Sequence, residues 1–128
     1  MKLSIVVPCL NEARTLETIV GRLEVVALPA GWEREIIVVD DGSTDLTSAI
    51  VQSLSDQGRI RAVTHTTNRG KGAAVKSGLA LVTGDYVLIQ DADMEYDPND
   101  IASMLTARAE RSVDSVIGSR NLGTNAVP

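Results

Sequence analysis

Aromatic residues are almost absent from this chain: one Trp, two Tyr and no Phe, 2% of 128 residues. A core must therefore be filled by Val, Ile, Leu and Ala, and a hydrophobic content of 44% over this length is enough for one globular domain. Cysteine is equally scarce. Cys9 stands alone, which excludes an internal disulfide framework, and its apolar neighbours make it a small buried hydrophobe. The single histidine, His65, lies in a weak strand and is assigned no role. No apolar run approaches the ~20 residues of a membrane-spanning helix. The N-terminus offers one Lys and then a short run cut by Pro8 and Asn11-Glu12, a poor signal peptide, so a cytoplasmic location is expected. Basic residues are outnumbered, giving a net charge of −5, which argues against non-specific binding to nucleic acid or anionic lipid. Repeats, linkers and low-complexity segments are missing too.

What is present is alternation. Leu3 to Val7 is an apolar strand. From Glu12 the spacing turns helical, with Leu16, Ile19, Val20 and Leu23 on one face, until Pro29 and Gly31 break it. Glu35 to Val39 is a second strand, ending in Asp40-Asp41-Gly42. Ser43 or Thr44 can cap a helix whose buried stripe reads Leu46, Ile50, Leu54. Arg59 to Thr66 is a weaker third strand, Gly70 to Val82 a helix, and Tyr86 to Gln90 a fourth strand. Asp97-Pro98 supplies an N-cap with Pro at N1 for a helix carrying Ile101, Met104 and Leu105, and Ser115 to Gly118 is a short fifth strand. Strands and helices in strict alternation predict a mostly parallel α/β sheet with helices on both faces and right-handed crossovers.

Ligands of such sheets sit beyond the carboxyl ends of the strands, and that is where the unusual residues gather. The five ends read Pro8-Cys9-Leu10-Asn11-Glu12, Asp40-Asp41-Gly42-Ser43, Asn68-Arg69-Gly70-Lys71-Gly72, Asp91-Ala92-Asp93 and Gly118-Ser119-Arg120. Each alone is ordinary loop polarity; five together mark a site. In "VLIQDADMEYDP" the acids Asp91, Asp93, Glu95 and Asp97 recur at every second position. Carboxylates this close repel one another unless a cation or hydrogen bonds compensate. They are either solvated loop residues or oxygen ligands for Mg²⁺ or Mn²⁺ facing a diphosphate. Asp40-Asp41 exceeds what a helix cap needs, so one of the two can accept hydrogen bonds from a base or ribose. Glu12 either favours a helix N-terminus through the dipole or lines the site. "NRGKG" suits a phosphate-facing loop, although it is also a common turn; it is not a P-loop, since His65 replaces the first Gly and Gly72 the Ser/Thr after Lys71. Arg120 is a surface charge or an anion clamp.

Taken in order, "VVPCLNE", "IIVVDDGSTD", "NRGKGAAVKSG", "GDYVLIQDADMEYDP" and "VIGSR" resemble the family 2 inverting glycosyltransferases of GT-A fold, nearest to the branch that loads sugars onto polyprenyl phosphates, such as dolichol-phosphate mannosyltransferase. The motifs run from Ile5 to Arg120. The resemblance implies a Rossmann-like nucleotide-diphospho-sugar-binding fold. It implies that Pro8, Leu10, Glu12, Val39, Asp41 and Lys71 bind the nucleotide sugar, with Asp41 reading the base. It places Asp91, Ala92 and Asp93 at the diphosphate, Asp91, Asp93 and Glu95 around Mg²⁺ or Mn²⁺, and Asp93 and Arg120 at the reacting groups. Leu10 stands where many relatives have Tyr, so apolar contact replaces stacking on the base. The family's catalytic domain continues further, so residues 1–128 read as the donor-binding part, with the acceptor half outside the chain.

The function expected from this is sugar transfer with inversion from a nucleotide diphosphate, UDP rather than GDP, to a polyprenyl phosphate, at the cytoplasmic face of a membrane that is contacted only through segments outside this chain. A homodimer is compatible with these features. Other readings are a non-catalytic nucleotide-sugar-binding module and a family 2 transferase acting on a sugar hydroxyl in a glycan. An Asp-x-Asp phosphatase would need Thr or Val where Glu95 stands. A receiver domain would need its acidic pair after the first strand, where Asn11-Glu12 stands instead.

Overall fold

Eight residues, Lys2–Cys9, form β1, and all but the first are buried. A strand with no exposed face belongs inside a sheet covered on both sides. The computed structural model describes residues 1–92, and there the order is β1, α1 (Leu16–Val25), β2 (Glu33–Asp40), α2 (Thr47–Asp56), β3 (Arg61–Thr64), α3 (Lys71–Leu79) and β4 (Tyr86–Ile89). All four strands run parallel, in the spatial order β3-β2-β1-β4. The helix expected after Asp97-Pro98 and the strand expected at Ser115 to Gly118 lie outside the described residues.

The period of two in β1 divides the core. Leu3, Ile5, Val7 and Cys9 face α1 and α2, packing with Leu16, Ile19, Val20, Leu23, Val51 and Leu54. Val6 faces the other way and meets Ile37, Val39, Ile89 and Ala74 of α3. Each such aliphatic side chain contributes about 1.5–3 kcal/mol when fully buried, which is how a chain with almost no aromatics holds together. The α3 layer depends on a small residue: a Cβ on Gly78 would lie 2.5 Å from Val6 Cγ1 and 3.2 Å from Val39 Cγ2. The chain steps from β1 outward to β2 and β3, then returns through α3 to the far side of β1. The direction of winding thus reverses between β1 and β4, and the carboxyl ends of these strands border a crevice.

One expectation about α2 is corrected. The helix begins at Thr47, and its buried stripe is Thr47, Val51 and Leu54; Leu46 is 71% exposed and Ile50 is only half-buried. Ser43 and Thr44 do not cap it. Asn11 engages them instead: its N–H donates to Ser43 Oγ and its Oδ1 accepts the Thr44 N–H, while Asp45 Oδ1 accepts the Thr47 N–H. The helix accordingly starts two or three residues later than expected, with its buried face rotated. Likewise α1 starts at Leu16 after a turn closed on the Glu12 carbonyl, and α3 stops at Leu79 rather than Val82.

Candidate functional site

At the carboxyl edge of the sheet lies a cleft of about 440 Å³. Pro8, Cys9, Leu10 and Glu12 line it from β1 and the turn that follows, Asp41 from the end of β2, Asn68, Gly70, Lys71 and Ala74 from the loop into α3, and Asp91 and Ala92 from the end of β4. Seven of the residues expected at the site are thus brought together: Pro8, Leu10, Glu12, Asp41, Lys71, Asp91 and Ala92. Val39 is not among them; its side chain is fully buried in the layer under α3. Asp93, Glu95 and Arg120 lie outside the described residues.

The loops are tied to one another. Asn11 adopts a left-handed φ of 53°, which Asn tolerates better than most residues, and its two bonds to Ser43 and Thr44 join the turn after β1 to the turn after β2. Thr15 Oγ1 donates to the Ala92 carbonyl at 2.6 Å, joining α1 to the end of β4. Gly42, at φ +80°, runs so close to the 67–68 backbone that a Cβ would sit 2.4 Å from the Thr67 carbonyl carbon.

The adjacent acids after β2 have separate tasks. Asp40 turns inward; its Oδ1 accepts the Ser43 N–H and its Oδ2 the Ser48 hydroxyl, so it builds the turn. Asp41 faces the cleft with its carboxylate almost fully buried. Its Oδ1 lies 2.8 Å from His65 Nδ1 and accepts the Arg69 N–H at 2.9 Å, and its Oδ2 accepts the Gly70 N–H at 2.9 Å. Burial alone would raise the Asp41 pKa; the hydrogen bonds from His65, Arg69 and Gly70 outweigh it and hold the carboxyl below its ordinary value. It is therefore ionised at neutral pH. An ionised carboxylate only accepts, so Nδ1 of His65 carries the hydrogen.

At the end of β4, Asp91 Oδ1 accepts from Lys71 Nζ, and both residues line the cleft. The lysine side chain is 54% exposed and the aspartate side chain 10% exposed, so a cation stands at the surface over a sheltered carboxylate. Cys9 also lines the cleft, but burial first, and then Asp40, Glu12, Asp45 and Asp41, push its thiol up to about 12. It stays protonated and is no nucleophile near neutral pH. Among the described residues no group of three His, Cys, Asp or Glu side chains is placed to hold a metal ion; of the three expected ligands only Asp91 is described, and it stands at the cleft.

His65 is the functional candidate that the sequence did not reveal. It is buried, and its Nε2 lies 2.8 Å from Ser77 Oγ on α3. A signal existed in the strand ends: Asp40 pairs with Thr64 in the parallel ladder, so the next residues, Asp41 and His65, fall side by side.

The match to known proteins extends over this whole edge. A family model described as Glycosyl transferase family 2 matches residues 4–126. The chain belongs to glycosyl transferase family 2. It is 36% identical to a dodecaprenyl-phosphate galacturonate synthase of Rhizobium johnstonii, over 94% of this chain and 36% of the relative. It is 34% identical to a dolichol-phosphate mannosyltransferase of Pyrococcus furiosus, over 94% of this chain and 33% of the relative. The chain therefore spans about a third of the length of these curated relatives. Among solved structures it is similar to the mannosyltransferase PcManGT of Pyrobaculum calidifontis in complex with GDP-Man and Mn²⁺, with a TM-score of 0.73 and 30% identity over 87% of this chain and 33% of that one. The fold of this family 2 chain is accordingly that of the GT-A glycosyltransferases: a parallel sheet with helices on both faces.

Proposed function

We propose that this chain is the donor-binding part of an inverting, metal-dependent glycosyltransferase that moves a sugar from a nucleoside diphosphate to a polyprenyl phosphate. The observation that carries the reading is the cleft along the carboxyl ends of β2, β1 and β4, with the fixed carboxylate of Asp41 at the end of β2 and the Lys71–Asp91 pair at the end of β4. A nucleoside diphosphate has a base with a ring N–H at one end and an anionic diphosphate at the other. Asp41 suits the first, and Lys71 the second. Acceptor class is drawn from the names of the two curated relatives, both polyprenyl-phosphate enzymes.

The geometry of Asp41 favours uridine. A carboxylate offers about four acceptor positions, and His65, Arg69 and Gly70 occupy three. One remains among the described residues, which matches the single ring N–H of uracil. Guanine presents a ring N–H and an amino group together, and adenine presents no ring donor.

For the metal, Asp91 is a hard oxygen donor already at the cleft, and Asp93 and Glu95 complete the proposed set for Mg²⁺ or Mn²⁺. Such an ion, when bound, neutralises charge on the departing diphosphate. Arg120 is proposed to offset repulsion between acceptor phosphate and donor. A phosphate acceptor is already ionised at neutral pH, so it needs no general base.

Titration calorimetry with UDP, GDP and ADP, with Mn²⁺ and with EDTA, tests the donor half. UDP should bind most tightly and ADP least, and EDTA or Asp93→Asn should weaken binding by roughly 1–3 kcal/mol. Equal affinity in EDTA removes the metal assignment. The acceptor half is tested with the full-length protein, a UDP-sugar and a short polyprenyl phosphate offered beside free sugars. Transfer to the sugars alone, or lipid transfer unchanged by Arg120→Ala, removes the acceptor assignment.

A further inference from the structure

Asp41 can select a base only if its carboxylate is held still, and nothing in the ordinary chemistry of a strand end does that. The aspartate follows the last residue of β2; its N–H still donates to the Cys9 carbonyl at 2.9 Å, and the backbone then turns through Gly42, leaving the side chain unsupported by the ladder. Two of its three donors, the N–H groups of Arg69 and Gly70, belong to a loop that enters α3 through a glycine at φ +98°. The third is a side chain with its own anchorage. His65 extends β3 past Thr64, its N–H donates to the Asp40 carbonyl at 2.8 Å, and its ring bridges Asp41 Oδ1 to Ser77 Oγ, both at 2.8 Å. The imidazole is therefore fixed at its backbone and at both nitrogens.

We propose that His65 is a positioning residue of the nucleotide pocket: through Nδ1–H it fills one acceptor position of Asp41, orients the carboxylate, and so sets both the affinity for uridine and the preference for uridine over guanosine. This rests on the donor reading above. His65 is buried behind Asp41 and does not line the cleft. Nor is the Asp41–His65–Ser77 chain a hydrolytic relay, because Ser77 lies inside α3 and is also absent from that lining.

Two isosteric substitutions separate positioning from general support. Asn places an amide nitrogen where His has Nδ1, keeping the donor to Asp41 and losing the link to Ser77. Gln places its amide where His has Nε2, keeping Ser77 and losing Asp41. In calorimetry on the protein with Mn²⁺, His65→Asn should bind UDP within about threefold of wild type, whereas His65→Gln should bind about tenfold more weakly or worse. The UDP-to-GDP preference should narrow in His65→Gln alone, because an Oδ1 position becomes available to a second donor. Urea melts should show both variants folded with similar midpoints. If both lose affinity in step with stability, or if neither loses affinity, the proposal is overturned.

A spectroscopic readout needs no variant. The chain contains one histidine, so every imidazole ¹⁵N signal belongs to His65. Those signals should report a hydrogen on Nδ1 and should move when UDP is added; signals that stay fixed through saturation overturn the proposal. Asp41→Asn distinguishes failure of the donor reading. Should Asp41→Asn bind UDP as wild type does, or wild type bind no nucleotide, the pocket itself has been misread. Should Asp41→Asn lose UDP while His65→Gln retains it, the pocket stands and the role of His65 falls.

Discussion

Glu35 and Asp41 stand near opposite ends of the same strand, each held below the ordinary carboxylate range, and they serve the molecule differently. Glu35, near the amino end of β2, accepts the Ser4 hydroxyl, the Thr83 N–H and the Thr83 hydroxyl at Oε2, and Arg61 at Oε1. Lys2 approaches to 3.8 Å. These partners come from β1, from β3 and from the turn into β4, so one side chain gathers the starts of all four strands. Asp41, just past the carboxyl end, has three donors, and two of them are loop amides. Glu35, with four hydrogen bonds from groups at the starts of the strands, fastens the sheet. Asp41, with three, lines a cleft. A lowered pKa alone does not tell these two acids apart; the origin of their donors and the surface each carboxylate faces do.

The largest test of this contrast is Glu35→Gln. Burial raises the Glu35 pKa, but the bonds from Ser4 and Thr83, followed by the charge of Lys2, lower it from 4.5 to about 2. A depressed folded-state pKa contributes stability that is fully present above the unfolded value. It is lost progressively as the pH falls from about 4.5 through about 2. Discounted for screening by the water that reaches this part-buried group, the shift corresponds to about 1–3 kcal/mol at neutral pH. Urea denaturation at pH 7 should show Glu35→Gln less stable by about that amount, and the gap should shrink toward pH 2. Affinity for UDP should stay within about twofold of wild type. A large loss of UDP binding would mean that the two ends of the sheet are coupled.

The cleft end is sharpened by Lys71→Met, which keeps most of the stem and removes the charge. Lys71 is more than half exposed and should cost little in folding. Its loss should weaken UDP by about 1 kcal/mol, roughly fivefold, with uridine itself unaffected. Equal weakening of UDP and uridine would show that Lys71 shapes the pocket rather than meeting the diphosphate.

The contrast between the two ends also explains what the sequence could and could not disclose. Strand alternation, the α1 face and the polar strand ends were legible because they depend on local period and composition. The face of α2 was not, because its start is set by Asn11, more than thirty residues upstream, which engages Ser43 and Thr44. His65 looked idle for a related reason: its partners Asp41 and Ser77 are 24 and 12 positions away, and only the β2–β3 register makes the first of them a neighbour. Glu35 read as an ordinary strand residue, since nothing local shows that Ser4 and Thr83 converge on it. Periodicity and the polarity of the strand ends could be read in the sequence. Hydrogen bonds between side chains of distant elements could not.

The smallest expected effect bears on what kind of device the Glu35 cluster is. Two cations face Glu35, which makes it look like an ion-pair network: Arg61 Nη1 at 3.3 Å and Lys2 Nζ at 3.8 Å. The hydrogen bonds argue otherwise. After burial, the causes that set its pKa are the bonds from Ser4 and Thr83, and the charge of Lys2 follows them. Arg61 is 47% exposed, so water and salt screen its pairing. Its second bond, to the Leu81 carbonyl, is also exposed and can be replaced by water. Arg61→Ala should therefore cost only about 0.5 kcal/mol, and high salt should reduce even that. Ser4→Ala removes a neutral hydroxyl from a fully buried position and should cost about 1–2 kcal/mol, with no salt dependence. If Arg61→Ala costs as much as Glu35→Gln, the amino end is held by charge. The contrast with Asp41, fixed by amide and imidazole donors, would then be one of interaction type rather than of where the donors come from.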